Sequence, residues 1–512
     1  MRAGPLAHPR MTLDHRYRRN ALTAAVLALW VGMLVELARR HTGSTITPAL
    51  PLEEAAPADP TGASAERDEW FDVLHDGHKI GWAHRVLERE EEGEGGWRMR
   101  EDSNFSLAML GTPQTVRTSI KARTDLAWAL RDFEFAIVSP AMRFHATGKT
   151  DGQRLAVTYG PEGRESSTEF VLAEPVHLPT TLRPRVVAGH PAPGTRISAM
   201  VFSPLTMRNE PMTILVEGRE TIEGRKGKVE TTRLLEENQG VKARAWIADD
   251  GSVVREEGTL GFVMERSDAA SARTGIDLDH PPDLALESRI PFHGEIDDPR
   301  HLSRLDLRVE GVAADLVPAS PPRQSRDGDR LRIVRETLPA RPPTLPMTDL
   351  ADEVAGQLDP SPFIESADPA IVGLARSIVG AETNPVRAAK RLLEWVNENM
   401  TQAPSLTVPS AREALRERRG DCNEHAVLLA ALGRAAGLPS RVAAGAMYAD
   451  GSFLYHAWVE FWLGAWVSAD AVFRQMPTDA THVKLIDGGP EHHGDLARII
   501  GRLSFARVEE PR

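Results

Sequence analysis

The chain reads as an α+β protein: a large antiparallel β region, a helical C-terminal domain and an apolar anchor near its start. Three observations predict this. Strand–turn–strand patterns fill residues 69–270, helical 3–4 spacing begins near residue 370, and an apolar run occupies residues 21–38. Hydrophobic content of 41% and charged content of 26% are those of a globular chain, and 512 residues allow several domains. A net charge of −12 argues against nucleic-acid binding. Cys422 is the only cysteine, which excludes an intrachain disulfide framework and a multi-cysteine zinc site and fits an oxidising compartment.

Residues 1–20 form a basic segment with Arg10, Arg16, Arg18 and Arg19. The apolar run that follows reaches the length of a membrane span when it includes Glu36-Leu37-Ala38. No small-x-small cleavage site follows Val35, so the run reads as an uncleaved transmembrane anchor rather than a signal peptide. The excess of basic residues before it places the N-terminus in the cytoplasm. The expectation is a single-pass protein of the inner (cytoplasmic) membrane with its bulk periplasmic. Residues 39–68, with Pro48, Pro51, Pro57 and Pro60, read as a linker.

Within 69–270, Phe71–His75, Asp76-Gly77 and His78–Trp82 form a strand, a hairpin-type turn and a strand, and Trp246–Val254 repeats the form around Asp250-Gly251. Arg154–Thr158 alternates as a further strand. This region is expected to be an antiparallel meander or open barrel. It carries no catalytic constellation, and partner recognition, spacing and plain scaffold all remain open. Residues 271–346 read as a small β module and linker, with strands at Leu305–Val309 and Leu331–Val334. Residues 488–512 read as a polar tail in which His492 and His493 are solvated.

The domain at 347–487 carries the chemistry. Ile371, Leu374, Ala375 and Ile378, then Ala388, Leu392, Leu393 and Val396, have helical spacing. A short helix over Ala411–Arg418 ends at Gly420, and Asp421 is placed to cap the next. That helix runs from Cys422 to about Ala436 and stops at Gly437-Leu438-Pro439. Cys422 therefore lies in a first helical turn, where the macrodipole favours thiolate. In Phe453–Leu463 the alternation puts His456, Trp458, Glu460 and Trp462 on one face, and Trp466, Ser468 and Asp470 share a face of the next strand. A hairpin with Leu463 at its tip pairs Glu460 with Trp466, Trp458 with Ser468, and His456 with Asp470. A slip of one residue would turn Asp470 away. Cys422, His456 and Asp470 thus supply a thiol nucleophile, its base and an orienting carboxylate, and a backbone N–H at the helix start supplies part of an oxyanion hole. Cys422 and His425 lack further ligands at metal spacing. No metal, calcium loop or other cofactor is expected.

The motifs Gly420-Asp421-Cys422-Asn423-Glu424-His425-Ala426, Arg434–Val442, His456-Ala457-Trp458-Val459-Glu460, Trp466–Asp470 and Val472–His482 resemble the bacterial transglutaminase-like superfamily over roughly residues 385–487. The resemblance implies a papain-like core, a Cys-His-Asp triad on Cys422, His456 and Asp470, and acyl transfer on a protein or peptide amide with water or an amine as acceptor. The family usually has Asp-Pro-Thr where this chain has Asp470-Ala471-Val472. The expected protein is a membrane-anchored extracytoplasmic cysteine amidase, protease or acyltransferase. The other reading is a non-catalytic binding protein that uses the domain as a scaffold.

Overall fold

The computed structural model describes residues 49–55, 66–90, 95–109, 111–140, 143–160, 165–225, 227–238, 241–403 and 409–508. The expected anchor at 21–38 lies outside them, and no helix of the described residues is long and apolar enough to cross a membrane. The described residues are mostly β rather than evenly α+β, because their longer helices are Pro179–Ala188 and the four of the C-terminal domain between Pro369 and Ala435.

The β region is one sheet made of two antiparallel meanders, Arg67–Val171 and Arg196–Ser267. They join where Phe262–Ser267 pairs with His75–Trp70. Alternation buries one row of side chains, as in Phe71, Val73 and His75. Helix Pro179–Ala188 packs Leu182, Val186 and Val187 onto Ile197, Ile214 and Val216. Arg183 on this helix is buried, and its charge is met by Glu236 and Glu256, each at 2.6 Å. The stretch expected to be a linker is partly docked. Leu50 and Pro51 pair with Ile197 and Ser198, and Leu52 is buried in the same core. Apolar residues between the prolines override the linker composition there.

The C-terminal region is built on a four-stranded antiparallel sheet in the order Trp466–Ala469, Ser452–Trp462, Ser440–Ala449, Val483–Asp487. Helices Pro369–Val379, Pro385–Asn399, Ala411–Glu417 and Cys422–Ala435 share a core with Val442, Val459, Phe461 and Val467. A five-stranded sheet packs against Ala444, Ala446, Tyr448 and Phe453. Its order is Phe292–His293, Ser504–Arg507, Arg304–Glu310, Arg330–Val334, Gln324–Asp327. The module expected at 271–346 and the tail expected at 488–512 therefore share one core with the helical domain. Leu496, Ile499, Leu503 and Phe505 are buried, which corrects the polar-tail reading. Their spacing among charged residues hid them from a composition argument.

The β region and the helical domain also share a plug. Phe363 is buried in the β-region core edge-on to Tyr159, whose hydroxyl donates to the Pro362 carbonyl at 2.9 Å. The Phe363 carbonyl accepts from Ala411 N–H, at the start of the helix that precedes Cys422.

Phe505 is fully buried and packs edge-to-face on Phe453 at 5.1 Å. Phe505→Ala is expected to destabilise the protein by about 3–5 kcal/mol in urea unfolding followed by tryptophan fluorescence. A change near zero would return residues 488–512 to the status of a dispensable tail.

Candidate active site

The Cys422 helix begins with a capping box. Asp421 Oδ1 accepts from Asn423 N–H at 2.7 Å, and Glu424 Oε2 accepts from Asp421 N–H at 2.8 Å. A Cβ on Gly420 would lie 2.4 Å from Glu424 Cβ, so glycine is needed for this closure. His425 Nδ1 bonds the Asp421 carbonyl at 2.7 Å. Cys422 is half-buried, and Ala457 N–H reaches its sulfur. That N–H is free to do so because Trp466–Ala469 stops pairing at Val459.

The surroundings of Cys422 act against the thiolate that its helix position favours. Burial, then the Asp421 carboxylate, push its thiol well above the ordinary range, against the Ala457 N–H. Burial and Glu424 likewise push the Asp421 carboxyl up. Burial thus opposes charge on the sulfur and on the acidic cap alike, and each negative charge there disfavours the other, against the dipole that would favour thiolate.

The hairpin forms with its tip at Gly464, where φ is +100° and Leu463 N–H bonds the Ala465 carbonyl. Trp462 pairs with Trp466 and Glu460 with Ser468, a displacement of two residues from the expected register. An even displacement keeps every side chain on its face. Asp470 consequently sits diagonal to His456 rather than directly opposite, and still reaches it. His456 Nε2 and Asp470 Oδ2 are 2.7 Å apart, with Asp470 1% exposed. Asp470 Oδ1 accepts from Val472 N–H at 2.8 Å and from Phe473 N–H at 3.3 Å. This Asx turn needs no N–H from residue 471, so it tolerates proline or alanine there and orients the carboxylate in either case. Burial alone would raise the Asp470 carboxyl, but His456 and His482 outweigh it and hold it well below the usual range. With Nε2–H donated to Asp470, Nδ1 is the His456 atom able to accept a proton.

Packing fixes the imidazole. Phe473 lies edge-on to it at 5.7 Å, and the Arg300 guanidinium covers Phe473 at 4.8 Å. Trp458 stacks beside it at 6.4 Å. Gly445 pairs with His456 across the strands, and a Cβ there would stand 2.7 Å from Trp458 and 2.0 Å from the Val483 carbonyl. Glu460, on the same face, is neutralised by Lys484 at 2.6 Å and Arg441 at 2.7 Å, which makes it a strand anchor.

Sequence reasoning missed His482. It is fully buried, with Nε2 3.0 Å from Asp470 Oδ2 and Nδ1 3.3 Å from Asp479 Oδ1. It falls in a short loop without strand or helix period, and tertiary contacts alone bring it to the site. His456, Asp470 and His482 also form a group whose ligand atoms lie within 4.8 Å of one another and could hold a metal ion. Their mutual hydrogen bonds already satisfy all three atoms, so the donor set is complete without one. His425, beside Cys422, is engaged by the backbone and does not join this group.

Residues 372–471 match the family model described as the transglutaminase-like superfamily, and this stretch is a transglutaminase-like domain holding Cys422, His456 and Asp470. Among solved structures, the chain is similar to a candidate cysteine protease from Cytophaga hutchinsonii, at 19% identity and TM-score 0.29, covering 42% of this chain and 88% of that one. It is similar to a β-barrel-like protein of a domain of unknown function from Brucella abortus, at 11% identity and TM-score 0.31, covering 40% and 95%. A candidate protease from Parabacteroides distasonis aligns at 12% identity and TM-score 0.18, covering 66% and 68%. No curated protein matches the chain.

Alkylation by iodoacetamide reports on Cys422 alone, since no other thiol exists. Its rate is expected to rise with pH to an apparent pKa above the ordinary thiol value of about 8.5. Asp421→Asn keeps a helix cap but removes the acidic group that most opposes charge on the sulfur, so it should lower that pKa and speed labelling. A wild-type profile already level at pH 6 would contradict the assigned charge state.

Proposed function

We propose that the protein is a cysteine acyl-transfer enzyme acting on protein or peptide amides, anchored in the membrane with its catalytic domain outside the cytoplasm. The observation that carries this is the 2.7 Å bond from His456 Nε2 to Asp470, next to the Ala457 N–H that meets the Cys422 sulfur. Cys422 attacks the substrate carbonyl as His456 Nδ1 takes its proton, and the sulfur–carbon bond forms. His456 returns the proton to the leaving amine as the carbon–nitrogen bond breaks, leaving a thioester. Water, or a second amine, then attacks with His456 as base, and the thiol is restored. Asp470 holds the tautomer and stabilises the imidazolium. The N–H groups at the start of the Cys422 helix favour the oxyanion. Because its surroundings oppose a resting thiolate, deprotonation is coupled to attack rather than completed beforehand. Hydrolysis is the preferred outcome, as water is always present and no amine site is marked. The apolar run at 21–38 and the arginines before it support the anchor and its orientation.

p-Nitrophenyl acetate tests the chemistry without knowledge of the natural substrate. The wild type should release a burst of nitrophenol and carry an acetyl group on Cys422, seen by intact mass. Cys422→Ala should abolish the adduct, and His456→Ala should slow acetylation by about 10²–10⁴-fold. A folded wild type that never acquires the adduct, or a His456→Ala variant that acquires it at the wild-type rate, would sink the proposal. Incorporation of a fluorescent primary amine into a glutamine peptide would move the acceptor from water to amine.

A further inference from the structure

We infer that His482 is a positioning residue: it clamps Asp470 in the rotamer that serves His456, and the small five-stranded sheet seats it through Arg323. The inference rests on the reading of Cys422 as a nucleophile served by His456, and it adds residues that the Cys422–His456–Asp470 set does not contain. Asp470 Oδ2 is shared by two imidazoles, His456 at 2.7 Å and His482 at 3.0 Å. Without the second, that oxygen would lose one of its two side-chain partners in an enclosed site. His482 in turn has carboxylate oxygens at both ring nitrogens. A neutral imidazole can donate only once, so both contacts are satisfied together only by the imidazolium. Burial alone would lower its pKa, but Asp470 and Asp479 outweigh it and raise it. Asp479 is suited to the task. Burial opposes its ionisation, yet His482, Thr481 and Arg300 hold it down to about 2.

The loop that carries His482 is fastened from outside the transglutaminase-like segment. Arg323 is 3% exposed, and its Nη2 donates to the carbonyls of Asp479 at 2.6 Å and His482 at 3.1 Å. Its Nη1 donates to Ser468 Oγ at 3.3 Å and pairs with Glu336. The groups facing His482 are therefore Asp470, Asp479, the His456, Trp458 and Phe473 rings, and, through Asp479, Arg300. The charges balance as two carboxylates against Arg300 and the His482 imidazolium. His482 thus does two things at once: it orients Asp470, and it sets a second imidazole on the carboxylate oxygen that His456 uses.

Two variants separate these effects. His482→Ala removes the clamp and should slow acetylation of Cys422 by p-nitrophenyl acetate by about 10–100-fold, the scale of a misplaced catalytic group. His482→Gln keeps a donor to Asp470 but loses the charge. It should recover most of that rate and move the acid-side inflection of Cys422 alkylation by iodoacetamide, defined as the step lost in His456→Ala, to higher pH. A merely structural histidine would lower the melting temperature and leave the inflection in place. The inference is overturned by folded His482→Ala with wild-type acetylation, by an unmoved inflection in His482→Gln, or by failure of both variants to fold. It is also overturned by a wild type without a His456-dependent inflection. A wild type that shows the inflection but no acetyl adduct would sink the acyl-transfer reading alone, and the shift in His482→Gln would still decide the role of His482.

Discussion

The Asp470 carboxylate is the constraint around which the C-terminal half is arranged. An ionised carboxylate in an enclosed site needs donors on both oxygens, and here two backbone N–H groups and two imidazoles supply them. Each donor belongs to a different structural commitment. The N–H groups require the turn after Ala469, His456 requires the hairpin, and His482 requires the loop fastened by Arg323. Removing any one leaves a buried lone pair without a partner, and such gaps cost about 1–3 kcal/mol or more for charged groups. The small sheet, which looks peripheral by topology, is in this sense part of the site's foundation.

Cys422 is governed by a second balance. A helix N-terminus stabilises thiolate, whereas burial and carboxylates oppose it. Asp421 and Glu424 close the capping box that starts the helix, and the same two side chains disfavour a negative sulfur. Structural and chemical demands therefore meet in one motif of five residues, Gly420 to Glu424. The motif secures the position of Cys422 at the expense of its resting ionisation.

How far this was legible follows from the range of the interactions involved. The Cys422 helix was readable because its cap at Asp421 and its stop at Gly437-Leu438-Pro439 are local signals. The faces of His456 and Asp470 were readable from the two-residue strand period. Their register was not, because a tip at Gly464 instead of Leu463 moves every pair by two while preserving parity. Asp479 and His482 lie in the Val472–His482 motif, but their meeting with Asp470 and Arg323 is made by tertiary contacts that no local period announces. The docked residues Leu52 and Phe505 lie in stretches whose average composition is polar or proline-rich, so an average concealed the residues that matter. The opposition to thiolate was not legible either, because Asp421 was read as a helix cap and its charge beside Cys422 was not weighed.

The upward push on the Cys422 thiol bears on its resistance to oxidation. Peroxide and disulfides react with thiolate, and the first product of peroxide attack, a sulfenic acid, normally finds rescue in a neighbouring thiol. This chain has no second cysteine to offer. A half-buried thiol whose surroundings oppose its ionisation spends less time in the oxidisable form. The burial and acidic neighbours that oppose its ionisation therefore also protect it, and the position gives up readiness at rest for resistance to oxidation.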